Sequence, residues 1–169
     1  MLFGNSKELP WIEEGKRVFG LHETRDNATL RQWLRSDGKT LGDPNALPWC
    51  GDYVETAIKK SLPNETFAGN LAKNPYWARN WLEFGVATAP VYGAVVIFER
   101  GSGGHVGFLV GEDATDYYVL GGNQSNTVNV SRISKTRCLG TRWPKTHANP
   151  NRSLPRLSPT NVPKTTNEF

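Results

Sequence analysis

Gly93-Ala94-Val95-Val96-Ile97-Phe98-Glu99-Arg100-Gly101-Ser102-Gly103-Gly104-His105-Val106-Gly107-Phe108-Leu109-Val110 reads as two strands and the turn between them. Ala94–Phe98 and Val106–Val110 are short continuous apolar runs rich in β-branched and aromatic residues. Such runs mark buried strands. The link Arg100-Gly101-Ser102-Gly103-Gly104 is too short for a crossover helix, so the two strands must be antiparallel neighbours. Further strands follow at Tyr117–Leu120, at Thr127–Ile133 with alternating Val128, Val130 and Ile133, and at Leu139–Trp143. Gly111-Glu112-Asp113 and Gly121-Gly122-Asn123 make similarly short links.

Upstream of this stretch the periodicity is helical. Residues 10–19 start at Pro10 and stop at Gly20, the usual places for those two residues. A second helix is expected from Asn27 to Ser36, with Leu30, Trp33 and Leu34 on one face and Asp26 or Asn27 as its cap. A third opens at Cys50, carries Tyr53, Val54, Ala57 and Ile58 on one face, and ends before Pro63. Pro75 introduces a short fourth, Tyr76–Phe84, with Trp77 and Trp81 one turn apart. Helices first and strands second predict an α+β fold, N-terminal helices packed on a C-terminal antiparallel sheet of about five strands. The folded unit is expected to span residues 1–145. Residues 146–169 are rich in Pro, Asn, Ser and Thr without periodicity and are expected to be an extended or disordered basic tail.

The chain has 169 residues, net charge +4 and two cysteines, which suits one ordinary domain. No apolar run is long enough to span a membrane. The first residues lack the basic and apolar regions of a secretory signal, so synthesis in the cytoplasm is expected. Charge is uneven. Arg132, Lys135, Arg137, Arg142, Lys145, Arg152, Arg156 and Lys164 crowd residues 132–164, and Glu168 is the only acid from residue 131 onward. This pattern suggests contact with a polyanion, or simply a solvated basic surface. There is no zinc-finger spacing, RNA-binding motif or basic helix, so no specific nucleic-acid partner is expected. No metal-ligand or calcium-loop spacing occurs, and no cofactor is implied. A monomer is expected.

The chemistry gathers around Leu47-Pro48-Trp49-Cys50-Gly51-Asp52. A thiol at a helix start sits in the positive end of the helix dipole, which favours thiolate. Cys50 is therefore the candidate nucleophile, attacking an amide carbonyl to form a thioester. The backbone N–H of Cys50 is a candidate oxyanion donor. His105, after two glycines at a strand start, is the candidate base and then acid. His22 and His147 compete with it less well. Asn123 or Gln124, at the end of the following strand, is the candidate partner that holds the imidazole. Strand alternation puts these two on opposite faces, so only one can serve. Trp49, Asp52 and Gly104 are the candidate substrate-binding residues: Trp49 as a cleft wall, Asp52 as a partner for the dipole or for a substrate amine. Trp77 and Trp81 are expected in the core, and Cys138 is expected to be a small buried thiol.

Together, Pro48-Trp49-Cys50-Gly51-Asp52-Tyr53-Val54, Gly93-Ala94-Val95-Val96-Ile97-Phe98, Gly104-His105-Val106-Gly107-Phe108 and Leu120-Gly121-Gly122-Asn123-Gln124 resemble the papain-like peptidoglycan hydrolases of the CHAP and NlpC-like groups. The resemblance covers residues 48–124 and extends to about residue 144. It implies a papain-like fold and cleavage of a cell-wall amide through Cys50, His105 and Asn123. One departure is Gly93-Ala94, where the family usually has Gly-Asp. A chain of this kind without a signal is similar to a phage endolysin, an amidase or endopeptidase reaching peptidoglycan through a holin pore or another delivery route. Two other classes remain open: a non-catalytic wall-binding or virion protein on the same scaffold, and a cysteine amidase or deamidase acting on another substrate.

Overall fold

A computed structural model describes residues 7–166 and Glu168. It has an α+β architecture with one antiparallel sheet. Four α-helices come first: α1 (Pro10–Lys16), α2 (Asn27–Leu34), α3 (Cys50–Ser61) and α4 (Gly69–Lys73). A 3-10 helix at Ala78–Glu83 follows. Six strands come next: β1 (Val86–Ala87), β2 (Val95–Arg100), β3 (Gly103–Glu112), β4 (Asp116–Gln124), β5 (Thr127–Ser134) and β6 (Cys138–Trp143). Their order across the sheet is β1-β6-β2-β3-β4-β5. The opening hairpin pairs as expected, with Val95 opposite Phe108 and Phe98 opposite His105.

Three local expectations are corrected. The sheet has a sixth strand, β1, whose two residues carry no readable period. The segment Tyr76–Phe84 contains a 3-10 helix rather than an α-helix. Residues 146–166 and Glu168, expected to be an extended or disordered tail outside the folded unit, are largely extended but belong to it, because several of their backbone groups bond to it. Arg152 O accepts from Tyr92 N at 2.8 Å, Pro155 O from Glu112 N at 3.0 Å and Pro163 O from Arg132 N at 2.8 Å.

The basic residues of this region are also less available than their number suggests. Lys135 pairs with Glu112, Arg132 and Lys164 both pair with Asp116, and Arg137 pairs with Glu168. Arg142 donates to the carbonyls of Phe84 and Gly85. Much of the basic charge thus neutralises acids of the same fold.

Helix α3 is the centre of the molecule. Every residue from Cys50 to Ile58 is buried, so it lacks the single polar stripe of a surface helix. One face packs on α1, with the Tyr53 hydroxyl under Gly15. Another packs on the sheet, where the rings of Tyr53 and Phe108 lie 6.1 Å apart. The N-terminal turn is held by a close backbone approach. A Cβ at Gly51 would stand 2.2 Å from the carbonyl oxygen of Pro75, the same oxygen that accepts from the Trp81 indole at 2.8 Å. Gly51→Ala is therefore expected to destabilise the protein by about 1–3 kcal/mol, the usual cost of overpacking. Thermal unfolding followed by tryptophan fluorescence measures this. An unchanged midpoint would show that the Pro75 turn yields freely.

No helix among the described residues is long and apolar enough to cross a membrane. No group of His, Cys, Asp and Glu among them is placed to hold a metal ion.

Candidate active site

Cys50 is the first residue of α3, and its N–H precedes the first bond of the helix, Tyr53 N to Trp49 O at 3.0 Å. The N–H groups of a first helical turn have no partner within the helix. Such groups can stabilise negative charge developing beside them. Cys50 is 5% exposed and His105 fully buried. Neither Cys50 nor Cys138 is in a disulfide.

His105 stands at the start of β3 with its Nε2 2.9 Å from Gln124 Oε1. The tautomer follows from the other end of that carboxamide. Gln124 Nε2 donates to Val119 O at 3.1 Å, to Asn129 O at 3.0 Å and to Asn129 Oδ1 at 2.9 Å. The amide orientation is thereby fixed and Oε1 must face the ring. A carbonyl oxygen only accepts, so His105 Nε2 carries a proton and donates it. This leaves Nδ1 as the ring atom for the sulfur, and no nitrogen or oxygen among the described residues bonds to it.

The two groups shift each other in opposite directions. Burial works against the charged form of Cys50. The charge of His105 and a hydrogen bond to it outweigh that, aided by the Val106 N–H and by Arg100, and the thiol ionises below its ordinary value. Burial likewise works against protonated His105. The Cys50 charge and hydrogen bond prevail, with smaller help from Glu168 and Gln124, and the imidazole holds its proton above its ordinary value. This is the signature of a thiolate–imidazolium pair.

The ambiguity between Asn123 and Gln124 is resolved by backbone geometry. Counting alternately from Val119 and Gly121 would put Asn123 on the His105 face. The pairing of β4 with β5 slips between Gly121 and Gln124, and Asn123 takes φ 60°. The irregularity acts like a bulge, which adds a residue and re-aims the next side chain. Gln124 comes to lie over Gly121, where a Cβ would meet Oε1 at 2.6 Å. The Asn123 amide turns away and donates to the backbone carbonyl of Glu168 at 2.8 Å.

The three expected substrate contacts fall elsewhere. Trp49 is 1% exposed, its ring packed against Gly122 and its indole N–H donating to Glu23 at 2.7 Å. It is core, not a cleft wall. Asp52 is fully buried and accepts from Thr40 Oγ1 at 2.7 Å and Leu41 N at 2.9 Å. It holds the loop before the nucleophile and is out of reach of a substrate amine. Gly104 is covered by Arg79 and Ala78, and Arg79 donates to Gly103 O at 2.6 Å. Its small size lets the 3-10 helix lie against the hairpin.

Trp77, expected in the core, is 45% exposed and stands beside Gly103, two residues before His105. It is the aromatic surface nearest the hairpin. Trp81 is in the core, as expected. Cys138 is half-buried rather than buried. His22 and His147 are occupied locally. His22 Nδ1 caps a turn by accepting from Thr24 N, and the His147 ring stacks edge-on against Trp11.

No protein-family model, curated protein or solved structure matches this chain. The chemical part of the functional reading therefore rests on the site. That site holds an activated thiol, an oriented imidazole and helix-start N–H groups. These are the components of acyl transfer through a thioester.

A cavity of about 120 Å³ lies alongside, lined by Glu23, Pro44, Asn45, Leu47, Pro48 and Asn123 among others. It reaches the neighbours of Cys50 without including Cys50 or His105.

Proposed function

We propose that this chain is a cysteine hydrolase that cleaves an amide bond of bacterial peptidoglycan, on a papain-like scaffold. The observation that carries the reading is the oriented His105–Gln124 pair, Nε2 to Oε1 at 2.9 Å, with Cys50 at the start of α3 electrostatically coupled to the same imidazole. Thiolate attack on the carbonyl forms a tetrahedral oxyanion facing the first turn of α3. Imidazolium at His105 then gives its proton to the leaving amine, and the thioester remains. Neutral His105 next takes a proton from water, the resulting hydroxide attacks the thioester, and the carboxylic acid leaves as the thiolate–imidazolium pair is restored. Gln124 keeps the ring in one tautomer throughout, the role that the family resemblance would have given to Asn123.

The amide chemistry comes from these residues, and the peptidoglycan substrate from the sequence resemblance. Exposed Trp77 beside the His105 hairpin offers a face for a sugar or a peptide plane. Lysis of a host wall, as by an endolysin, is the biological setting we propose.

The test is chemical. Purified walls incubated with the protein are expected to release soluble fragments whose new termini, read by mass spectrometry, identify the bond. Free muramic acid lactyl carboxylates would show an amidase; new peptide termini would show an endopeptidase. Intact walls with folded protein, unchanged relative to Cys50→Ala, would overturn the reading. Binding to walls without fragments would favour a non-catalytic wall protein.

A further inference from the structure

We propose that residues 154–166 and Glu168 form a strap that closes the Cys50–His105 site, with the Glu168 side chain occupying a pocket for a substrate carboxylate built on Arg137 and its backbone carbonyl held by Asn123. The path of the strap is continuous along the sheet. Leu157 N donates to Glu112 O at 2.9 Å, Arg132 Nε donates to Val162 O at 3.0 Å, and Thr165 N donates to Arg132 O at 3.1 Å. Pro155 and Pro163 flank a turn closed by Val162 N donating to Pro159 O at 3.1 Å. The strap ends at the site. Glu168 is fully buried, its carboxylate paired with the Arg137 guanidinium and accepting from Thr165 Oγ1 at 3.2 Å. Its backbone carbonyl takes the Asn123 amide, and its negative charge acts on His105.

The pocket is built independently of its occupant. Arg137 is anchored through Nε to Glu99 O at 3.1 Å, so its guanidinium stays in place when Glu168 leaves. Asn123 is set by its own backbone conformation, φ 60°. The Arg137 guanidinium meets both oxygens of the Glu168 carboxylate, a bidentate fork that selects a carboxylate over a neutral group. Opening the strap therefore leaves a site that favours another carboxylate over water, and over a neutral residue. The strap itself is weakly held. Between Pro155 and Lys164 every side chain is exposed or half-exposed, and segments with few buried apolar contacts open at low free energy. The ligand class is a peptide amide carrying a free carboxylate on a residue next to the bond attacked. The word "amide" rests on the hydrolase reading; the carboxylate pocket does not.

Thiol access reads both halves of this without any hydrolysis. Iodoacetamide alkylation of Cys50 is measured on the high-pH plateau, where the thiol is fully ionised and the rate reports exposure. Glu168→Gln and Arg137→Gln, in the full chain, are each expected to raise that rate at least about tenfold, as loss of a charge-assisted pair implies. The Cys138 rate and the thermal midpoint are expected to stay put. Then N-acetylglutamate is expected to slow Cys50 alkylation in Glu168→Gln, N-acetylglutamine is not, and Arg137→Gln abolishes the protection. A wild-type rate in Glu168→Gln overturns the strap, and so does a parallel rise at Cys138, which would mean general loosening. Absent protection, or equal protection by both probes, overturns the carboxylate pocket. Failure to cut walls would sink the hydrolase reading and leave these outcomes untouched.

Discussion

His105→Ala is expected to lower amide cleavage by at least about a thousandfold, and Cys50 alkylation at pH 7 by a smaller factor, on the order of tenfold. The two numbers differ for a physical reason. Alkylation needs only thiolate. With the imidazole gone, the charge and hydrogen bond that favour ionisation of Cys50 disappear while its burial remains. The thiol then rises to or above the ordinary cysteine value near 8.5, where about 3% is ionised at pH 7. Cleavage needs more, because the leaving amine must also be protonated, and a positioned acid contributes roughly 10²–10⁴-fold. The excess loss in cleavage over alkylation therefore measures the acid role of His105.

Access to the sulfur is removed from the comparison by taking, for each protein, the ratio of its rate at pH 7 to its high-pH plateau. The wild-type profile is expected to climb through the depressed thiol value and hold until the raised imidazole value is passed. Equal ratios in the two proteins would mean that Cys50 is not activated by His105.

The parts of this site that were legible in the sequence are those set by local pattern. A helix that starts at Cys50 follows from Pro48 and from the spacing of Tyr53, Val54, Ala57 and Ile58. The hairpin bearing His105 follows from two apolar runs and a glycine turn. The choice between Asn123 and Gln124 was not legible, because alternation assumes a regular strand and β4 is irregular between Gly121 and Gln124. A run of Gly121-Gly122-Asn123 followed by Ser125-Asn126 hints at such a break, since glycine and asparagine tolerate positive φ. Nothing in it says which side chain ends up on the imidazole.

The tryptophans failed for a different reason. Trp49 and Trp77 have equal apolar surface, and burial depends on what packs over each. Gly122 makes room for Trp49, a contact 73 residues away in sequence that no local period records. The strap was invisible to periodicity because its order comes from backbone bonds to β3 and β5 and from one buried acid. Glu168 as the sole acid in a basic region was the available clue. Its isolation in the charge pattern reflects a specific partner, Arg137.

Asp52→Asn is expected to flatten the dependence of stability on pH between pH 5 and pH 8, and to raise stability at pH 8 by about 2–4 kcal/mol. Asp52 is fully buried. Its Oδ2 accepts two hydrogen bonds, but Oδ1 has no hydrogen-bond partner among the described residues. Burial is the largest influence on the carboxyl and drives its pKa up from 3.8 to about 7. The bonds from Leu41 and Thr40 oppose this, and Glu55 and Asp37 add to it. The sign follows directly. The folded protein holds the Asp52 proton more tightly than the unfolded chain does. Stability is therefore full below pH 4 and falls as pH rises through 7. The rise from 3.8 to about 7 corresponds to about 4 kcal/mol at most, of which somewhat more than half is lost between pH 5 and pH 8.

Asparagine keeps the acceptor for Thr40 and Leu41 and cannot ionise. Glu55, whose pKa burial also raises against the opposing Lys59 pair, faces Asp52 from the next turn, and Asp37 and Tyr76 face it from neighbouring loops. These leave a residual slope in the variant. Urea denaturation of both proteins across this pH range separates the contributions. Parallel curves would show that Asp52 is ionised in the native state and that the loop Thr40–Leu41, and with it the approach to Cys50, is held by a buried charge.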